Sequence, residues 1–141
     1  MPDIELIVKI TYFNDFGALA TFVREVGPLV SGITAINTIA TRVVNTTGKQ
    51  AFPGGSDRER PGMSGHAIKP LGLKMVAELA RLRQKYGLTY KIIGVGGVQS
   101  RTDFDQYRQA GADVVMLVTG AMWNPNLAQE IKGAGQRAQP A

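Results

Sequence analysis

Tyr90-Lys91-Ile92-Ile93-Gly94-Val95-Gly96-Gly97 passes from an apolar, β-branched run straight into clustered glycines. A short apolar run bounded by a turn signal predicts a strand over Tyr90–Ile93, and the glycines predict a tight turn out of it. Ser100 then caps a helix through about Ala110, closed by Gly111. The same order recurs on both sides. Downstream, Val114–Val118 reads as a strand, Thr119 and Gly120 begin a turn, and Asn124-Pro125 opens a last helix to about Lys132. Upstream, Leu6–Ile10 reads as a strand. Asn14 or Asp15 caps a helix to about Val26, with Leu19, Phe22, Val23 and Val26 on one face. Gly27-Pro28 stops it, and Ile33–Ile36 is a second buried strand. Pro70 starts a long helix, with Leu73, Val76, Leu79, Ala80 and Leu82 at helical spacing, ending near Tyr86-Gly87. Between them, residues 38–66 are rich in Gly, Thr, Asn, Arg and Pro and are expected to form a long loop, of the kind that is functional or mobile.

Four strand–helix units in succession predict an α/β fold with a parallel sheet and right-handed crossovers. The strands are near-continuous apolar runs, as expected where both faces are covered. Two architectures fit: a small doubly wound sheet, or about four units of a (β/α)8 TIM barrel. A whole barrel takes about 250 residues, so a chain of 141 would be a half-barrel. Spacing alone does not separate the two.

Composition excludes several classes. Hydrophobic residues make up 44% and charged residues 19%, too apolar for a disordered chain and ample for one core. No apolar run approaches the roughly 20 residues of a membrane span. Met1-Pro2-Asp3-Ile4-Glu5 lacks the basic and apolar regions of a signal peptide, so a cytoplasmic location is expected. With no cysteine, disulfides and thiolate chemistry are excluded within the chain. The single histidine, His66, sits between Gly65 and Ala67 and reads as a loop residue, not a metal ligand or catalyst. The net charge of +5 favours anionic ligands. The basic residues are dispersed, with a small cluster at Arg58, Arg60, Lys69 and Lys74 that has few aromatic neighbours, so no nucleic-acid partner is expected. The tail from about residue 134 to 141 is small and polar and is expected to fray.

The chemistry concentrates at strand ends. Gly96 and Gly97 lie after a strand and before a helix, where backbone N–H groups approach a phosphate closely. This is not the dinucleotide fingerprint, because Gln99 stands at its third glycine. Thr119 and Gly120 follow the next strand in the same way, so both pairs would face one phosphate. The bland alternative is that these glycines serve tight turns alone. Lys9 is a charge inside an apolar strand. It either reaches an anionic or electron-rich ligand, or lies at the surface of an edge strand. Asn37-Thr38 offers polar groups after the second strand, though capping and turn formation are the commoner roles of such a pair.

Four segments together resemble a known family. Val8-Lys9-Ile10, Ile36-Asn37-Thr38-Ile39, Gly62-Met63-Ser64-Gly65-His66-Ala67-Ile68-Lys69-Pro70 and Ile92-Ile93-Gly94-Val95-Gly96-Gly97-Val98, with Gly111-Ala112 beyond, look like the C-terminal half of dihydroorotate dehydrogenase. The resemblance runs from about residue 6 to 125, and residues 1–133 would form that half-barrel. It implies a (β/α)8 barrel, FMN as cofactor, and oxidation of dihydroorotate to orotate in pyrimidine biosynthesis. Under it, Lys9 contacts the flavin pyrimidine ring, Asn37 contacts substrate, and Thr38 lies near both. Ser64 and Gly65 bring backbone close to the flavin. Gly96, Gly97, Thr119 and Gly120 bind the phosphate.

The departures matter. The family's catalytic base, a Ser or Cys on an earlier loop, belongs to a half that would precede this sequence. None of Ser31, Ser56, Ser64 or Ser100 stands in its place. Phe104 replaces a small residue in the helix after the glycine loop. The resemblance therefore implies a flavoprotein portion inactive by itself. A homo-oligomer or a complementary N-terminal half is the expected partner. The other readings are a non-catalytic FMN- or phosphate-binding or self-associating module, and a flavin enzyme acting on another pyrimidine.

Overall fold

The computed structural model describes residues 4–52 and 60–136; Arg58, Ser56 and residues 137–141 lie outside the described residues. The strands and helices run β1 (Ile7–Ile10), α1 (Phe16–Val26), β2 (Gly32–Ala35), β3 (Ile39–Ala40), β4 (Gly62–Met63), α2 (Lys69–Tyr86), β5 (Lys91–Val95), α3 (Arg101–Gln109), β6 (Val114–Met116), α4 (Thr119–Trp123) and α5 (Leu127–Gln136).

The main sheet has the order β1-β2-β5-β6, and every pair is parallel. This order decides between the two architectures. A doubly wound sheet reverses its strand order partway, sending helices to both faces. Here each crossover steps the same way, and α1 packs on α2, α2 on α3 and α3 on α5 in one outer layer. The protein is a four-stranded portion of a (β/α)8 barrel, and the barrel is not closed. Among the described residues β1 and β6 are its edges.

The core lies between strands and helices. Ile33 and Ile92 of the sheet's outer face meet Leu19, Val23, Met75, Val76, Leu79 and Leu82, all fully buried. Each such side chain contributes about 1.5–3 kcal/mol through burial. Tyr107 of α3 wedges in where Gly72 and Gly94 leave room; a Cβ on either would lie 2.1 or 2.5 Å from its ring or hydroxyl. Its hydroxyl donates to the Gly96 carbonyl at 2.8 Å. At the other end of the strands, Asp113 accepts from Arg83 at 2.5 Å and from the Ile92 amide at 2.7 Å, tying the end of α2 to β5 and the start of β6.

The inner face, which a closed barrel would enclose, is unevenly covered. One row across it is Lys9, Thr34, Ile93 and Val114. The central Thr34 and Ile93 are 6% and 8% exposed, whereas Ile7 and Val114 on the edge strands are 54% and 49% exposed.

Several boundaries differ from those expected. The second and third strands lie at Gly32–Ala35 and Lys91–Val95, because parallel pairing with both neighbours fixes their register. The last strand stops at Met116, two residues early. The Thr119–Gly120 turn is the first turn of α4, and α5 begins at Leu127 and reaches Gln136, past Lys132. The 38–66 segment carries an antiparallel pairing of β3 with β4, joining Ile39 to Met63 and Ala40 to Gly62.

Candidate functional site

Parallel strands deliver their C-terminal ends to one rim, so residues just past different strands converge there. Lys9 sits on β1, one residue before its end. Asn37 and Thr38 follow β2, with the Asn37 amide bonded to the Ile10 carbonyl at 2.8 Å. Ser64 and Gly65 follow β4 and lead through a 3-10 turn, His66–Ile68, into α2. Gly96 and Gly97 follow β5, and Thr119 and Gly120 open α4 after β6. The structure brings all nine sequence-identified residues to one pocket of about 270 Å³.

Lys9 stands on the edge strand β1. Its side chain is exposed there, and it also lines this pocket. It is the only charged side chain lining the pocket among the described residues. The rest of the polar lining is hydroxyl, amide and backbone. The N–H groups of Gly96, Gly97, Thr119 and Gly120 donate to no acceptor among the described residues. One positive charge beside unpaired donors is an anion-seeking arrangement.

The glycine turn is held from behind. Gly97 has φ +72°, and a Cβ there would lie 2.8 Å from Lys69 Cβ and 2.9 Å from both the Gly65 carbonyl oxygen and His66 Cα. Only glycine fits such a site on both counts. His66 is an exposed residue of the 3-10 turn, with Nδ1 3.3 Å from the Gly97 carbonyl oxygen. Lys69 pairs with Asp103, which also accepts from the Gln99 amide at 3.0 Å and the Ser100 hydroxyl at 2.9 Å. Burial pushes the Asp103 carboxyl up. The hydrogen bonds from Lys69, the Gln99 amide and Ser100 outweigh it and hold the carboxyl below its ordinary range.

Sequence reasoning missed the apolar walls: Ile36, Ile68, Val95, Val98, Val118 and Met122. Five are immediate or near neighbours of strand-end residues already singled out, a usable signal. Met122 is placed by α4, which sequence reasoning took for a turn. Of the basic cluster, Lys69 is engaged by Asp103 and Lys74 stands over the Phe16 ring at 5.1 Å, so the two serve separate contacts. Among the described residues no helix is long and apolar enough to cross a membrane.

Comparison with known proteins agrees with this architecture. A crystal structure of DHODH from Eimeria tenella in complex with ferulenol superposes with a TM-score of 0.69 at 24% identity, over 92% of this chain and 32% of that one. The dihydroorotate dehydrogenase of Dictyostelium discoideum is 28% identical over 130 residues, covering 91% of this chain and 35% of that protein. The catalytic subunit of dihydroorotate dehydrogenase B (NAD(+)) from Anoxybacillus flavithermus is 30% identical over 133 residues, covering 93% and 39%. The chain thus spans about a third of the length of these relatives. The family model for dihydroorotate dehydrogenase matches residues 2–134, and the chain belongs to the dihydroorotate dehydrogenase family.

Proposed function

We propose that this chain supplies the FMN-phosphate cradle and part of the flavin and substrate site of a dihydroorotate-oxidising flavoprotein, in which dihydroorotate becomes orotate. The observation that carries the reading is the pocket itself: Lys9, Asn37, Thr38, Ser64, Gly65 and the two strand-end pairs share one rim. The lining fits a phosphorylated flavin by its own chemistry. Four N–H groups with no acceptor among the described residues suit a phosphate, and the close packing of Gly97 on residues 65–69 holds its turn in place. The apolar walls of Ile36, Ile68 and Val118 suit a ring system, and Lys9, Asn37 and Thr38 offer polar contacts at its edge.

Bound FMN supplies a hydride acceptor. The chain's residues bind and orient. Gly96, Gly97, Thr119 and Gly120 anchor the phosphate through their N–H groups. The Lys9 ammonium would offer a positive charge to the edge of a flavin held in this pocket. The Asn37 amide, with donors and an acceptor, fixes the heterocyclic substrate, and Thr38 offers a hydroxyl between ring and substrate. Residues 1–133 form the unit that does this.

The open sides of the sheet support a partner. Among the described residues β1 and β6 present unpaired backbone edges, and Ile7, Val114, Met116 and Val118 leave apolar surface beside them. A second four-stranded unit, either another copy or a complementary N-terminal half, would complete the barrel.

The purified chain tests the reading directly. A flavin absorption spectrum after reconstitution with FMN is expected. Bleaching by dihydroorotate is expected only once a complementary half is supplied. A chain that takes up no flavin at tens of micromolar FMN overturns the reading. If flavin binds but no complementary half restores bleaching, a non-catalytic FMN-binding module is the correct description.

A further inference from the structure

Behind the pocket, and outside its lining, lies a buried ion pair that the binding contacts do not use. Lys69, the first residue of α2, reaches across to Asp103 in the first turn of α3; their side chains are 16% and 8% exposed. Lys69 also donates to Gln106 Oε1 at 3.1 Å. Both oxygens of Asp103 are engaged, one by Lys69 and the other by the Gln99 amide and the Ser100 hydroxyl. Gln99 and Ser100 are the residues that carry the chain from the glycine turn into α3. The stem of Lys69 lies against Gly97 itself.

We propose that Lys69 and Asp103 are positioning residues that hold the Gly96–Gly97 turn with its N–H groups facing the pocket; this rests on the reading of that turn as a phosphate cradle. A turn whose N–H groups are unpaired gains nothing from pointing them at an open pocket. Its orientation has to come from elsewhere. The Tyr107 hydroxyl fixes the Gly96 carbonyl from one side, and the Asp103 carboxylate fixes the Gln99 amide two residues after Gly97 from the other. Asp103 is held by these hydrogen bonds together with Lys69, which compensates its charge in a place where an unpaired carboxylate would be costly. The pair thus joins α2, α3 and the turn into one rigid support, so that a ligand meets preorganised donors.

Three variants of the full chain test this: Lys69→Met, Asp103→Asn and the double variant Lys69→Met/Asp103→Asn, which leaves no buried charge unpaired. Two readouts are made on each. The first is the affinity for FMN against that for riboflavin, which lacks the phosphate. In the wild type FMN binds at least tenfold more tightly, and in the variants this preference falls about tenfold, as expected for losing charge-assisted hydrogen bonds, while riboflavin affinity changes less than twofold. The second needs no ligand. Backbone order parameters at residues 96–100 drop from about 0.85 towards 0.6 in the variants while β5 stays rigid. Order parameters unchanged at 96–100, or lowered equally in β5, overturn the proposal. So does an FMN preference that survives in a folded double variant. A wild type that binds FMN no better than riboflavin overturns the phosphate reading instead, and the order parameters then decide the positioning role by themselves.

Discussion

Replacing Gly97 by alanine separates two penalties that the structure makes distinct. Gly97 has φ +72° and its missing Cβ would lie 2.8–2.9 Å from Lys69 Cβ, the Gly65 carbonyl and His66 Cα. These are backbone or stem atoms, not flexible side-chain ends, so they yield only if the chain shifts. Gly87, the left-handed residue closing α2 at φ +62°, has no heavy atom within 4 Å of the same position. Gly87→Ala therefore pays for conformation alone, about 1 kcal/mol. Gly97→Ala carries that strain plus overpacking of about 1–3 kcal/mol, a total of about 2–4 kcal/mol. At roughly 3 °C per kcal/mol for a domain of this size, Gly87→Ala lowers Tm by about 3 °C and Gly97→Ala by about 6–12 °C. Thermal melts followed by circular dichroism, checked by urea titration, measure both. If Gly97→Ala melts no lower than Gly87→Ala, the close packing of the glycine turn on residues 65–69 is wrong, and with it the support assigned to that turn.

Acid should weaken the protein through Asp103 and Asp113. Burial raises both carboxyls but hydrogen bonding outweighs it: Lys69, the Gln99 amide and Ser100 for Asp103, and the Ile92 amide and Arg83 for Asp113. Both folded-state values therefore lie below the unfolded ones, so the unfolded chain binds more protons; their stabilisation is present above about pH 4 and is lost as pH falls further. Urea midpoints from pH 6 to 3 should fall, and fall less steeply in Asp113→Asn; parallel slopes would count against this. The chain alone should show no steady-state oxidation of dihydroorotate, since a positioned base contributes about 10²–10⁴-fold; measurable turnover by the pure chain would reveal a base not identified in it. Light scattering at micromolar concentration should give at least twice the 15.1 kDa of one chain, by association at the β1 and β6 edges; a monomer mass would refute that.

Much of the fold was legible because it is written in local pattern. Ser100 and Asp15 cap helices as their spacing indicates, and the helical spacing of Val76, Leu79 and Leu82 marks residues that are buried. What local pattern left open was winding direction. Strand order is a pairing property, and only the sequence β1-β2-β5-β6 excludes the doubly wound sheet. The pairing of Ile39 with Met63 across the 38–66 segment was hidden for the same reason: two-residue strands carry too little periodicity to read. At the site, the polar and glycine residues stood out against apolar strands, so Lys9, Asn37 and the Gly96–Gly97 and Thr119–Gly120 pairs could be named. Their gathering in one pocket follows from parallel strands sharing a rim. The Lys69–Asp103 pair could not be named, because its partners lie 34 residues apart and meet only once α2 and α3 are packed side by side.

A crystal structure of the chain soaked with FMN tests the central claim most directly. The account predicts phosphate density within hydrogen-bond distance of the Gly96, Gly97, Thr119 and Gly120 backbone amides, with the ring system beside Lys9 and Asn37. Phosphate density elsewhere, or a Gly96–Gly97 turn whose N–H groups point away from the pocket into protein, would contradict it.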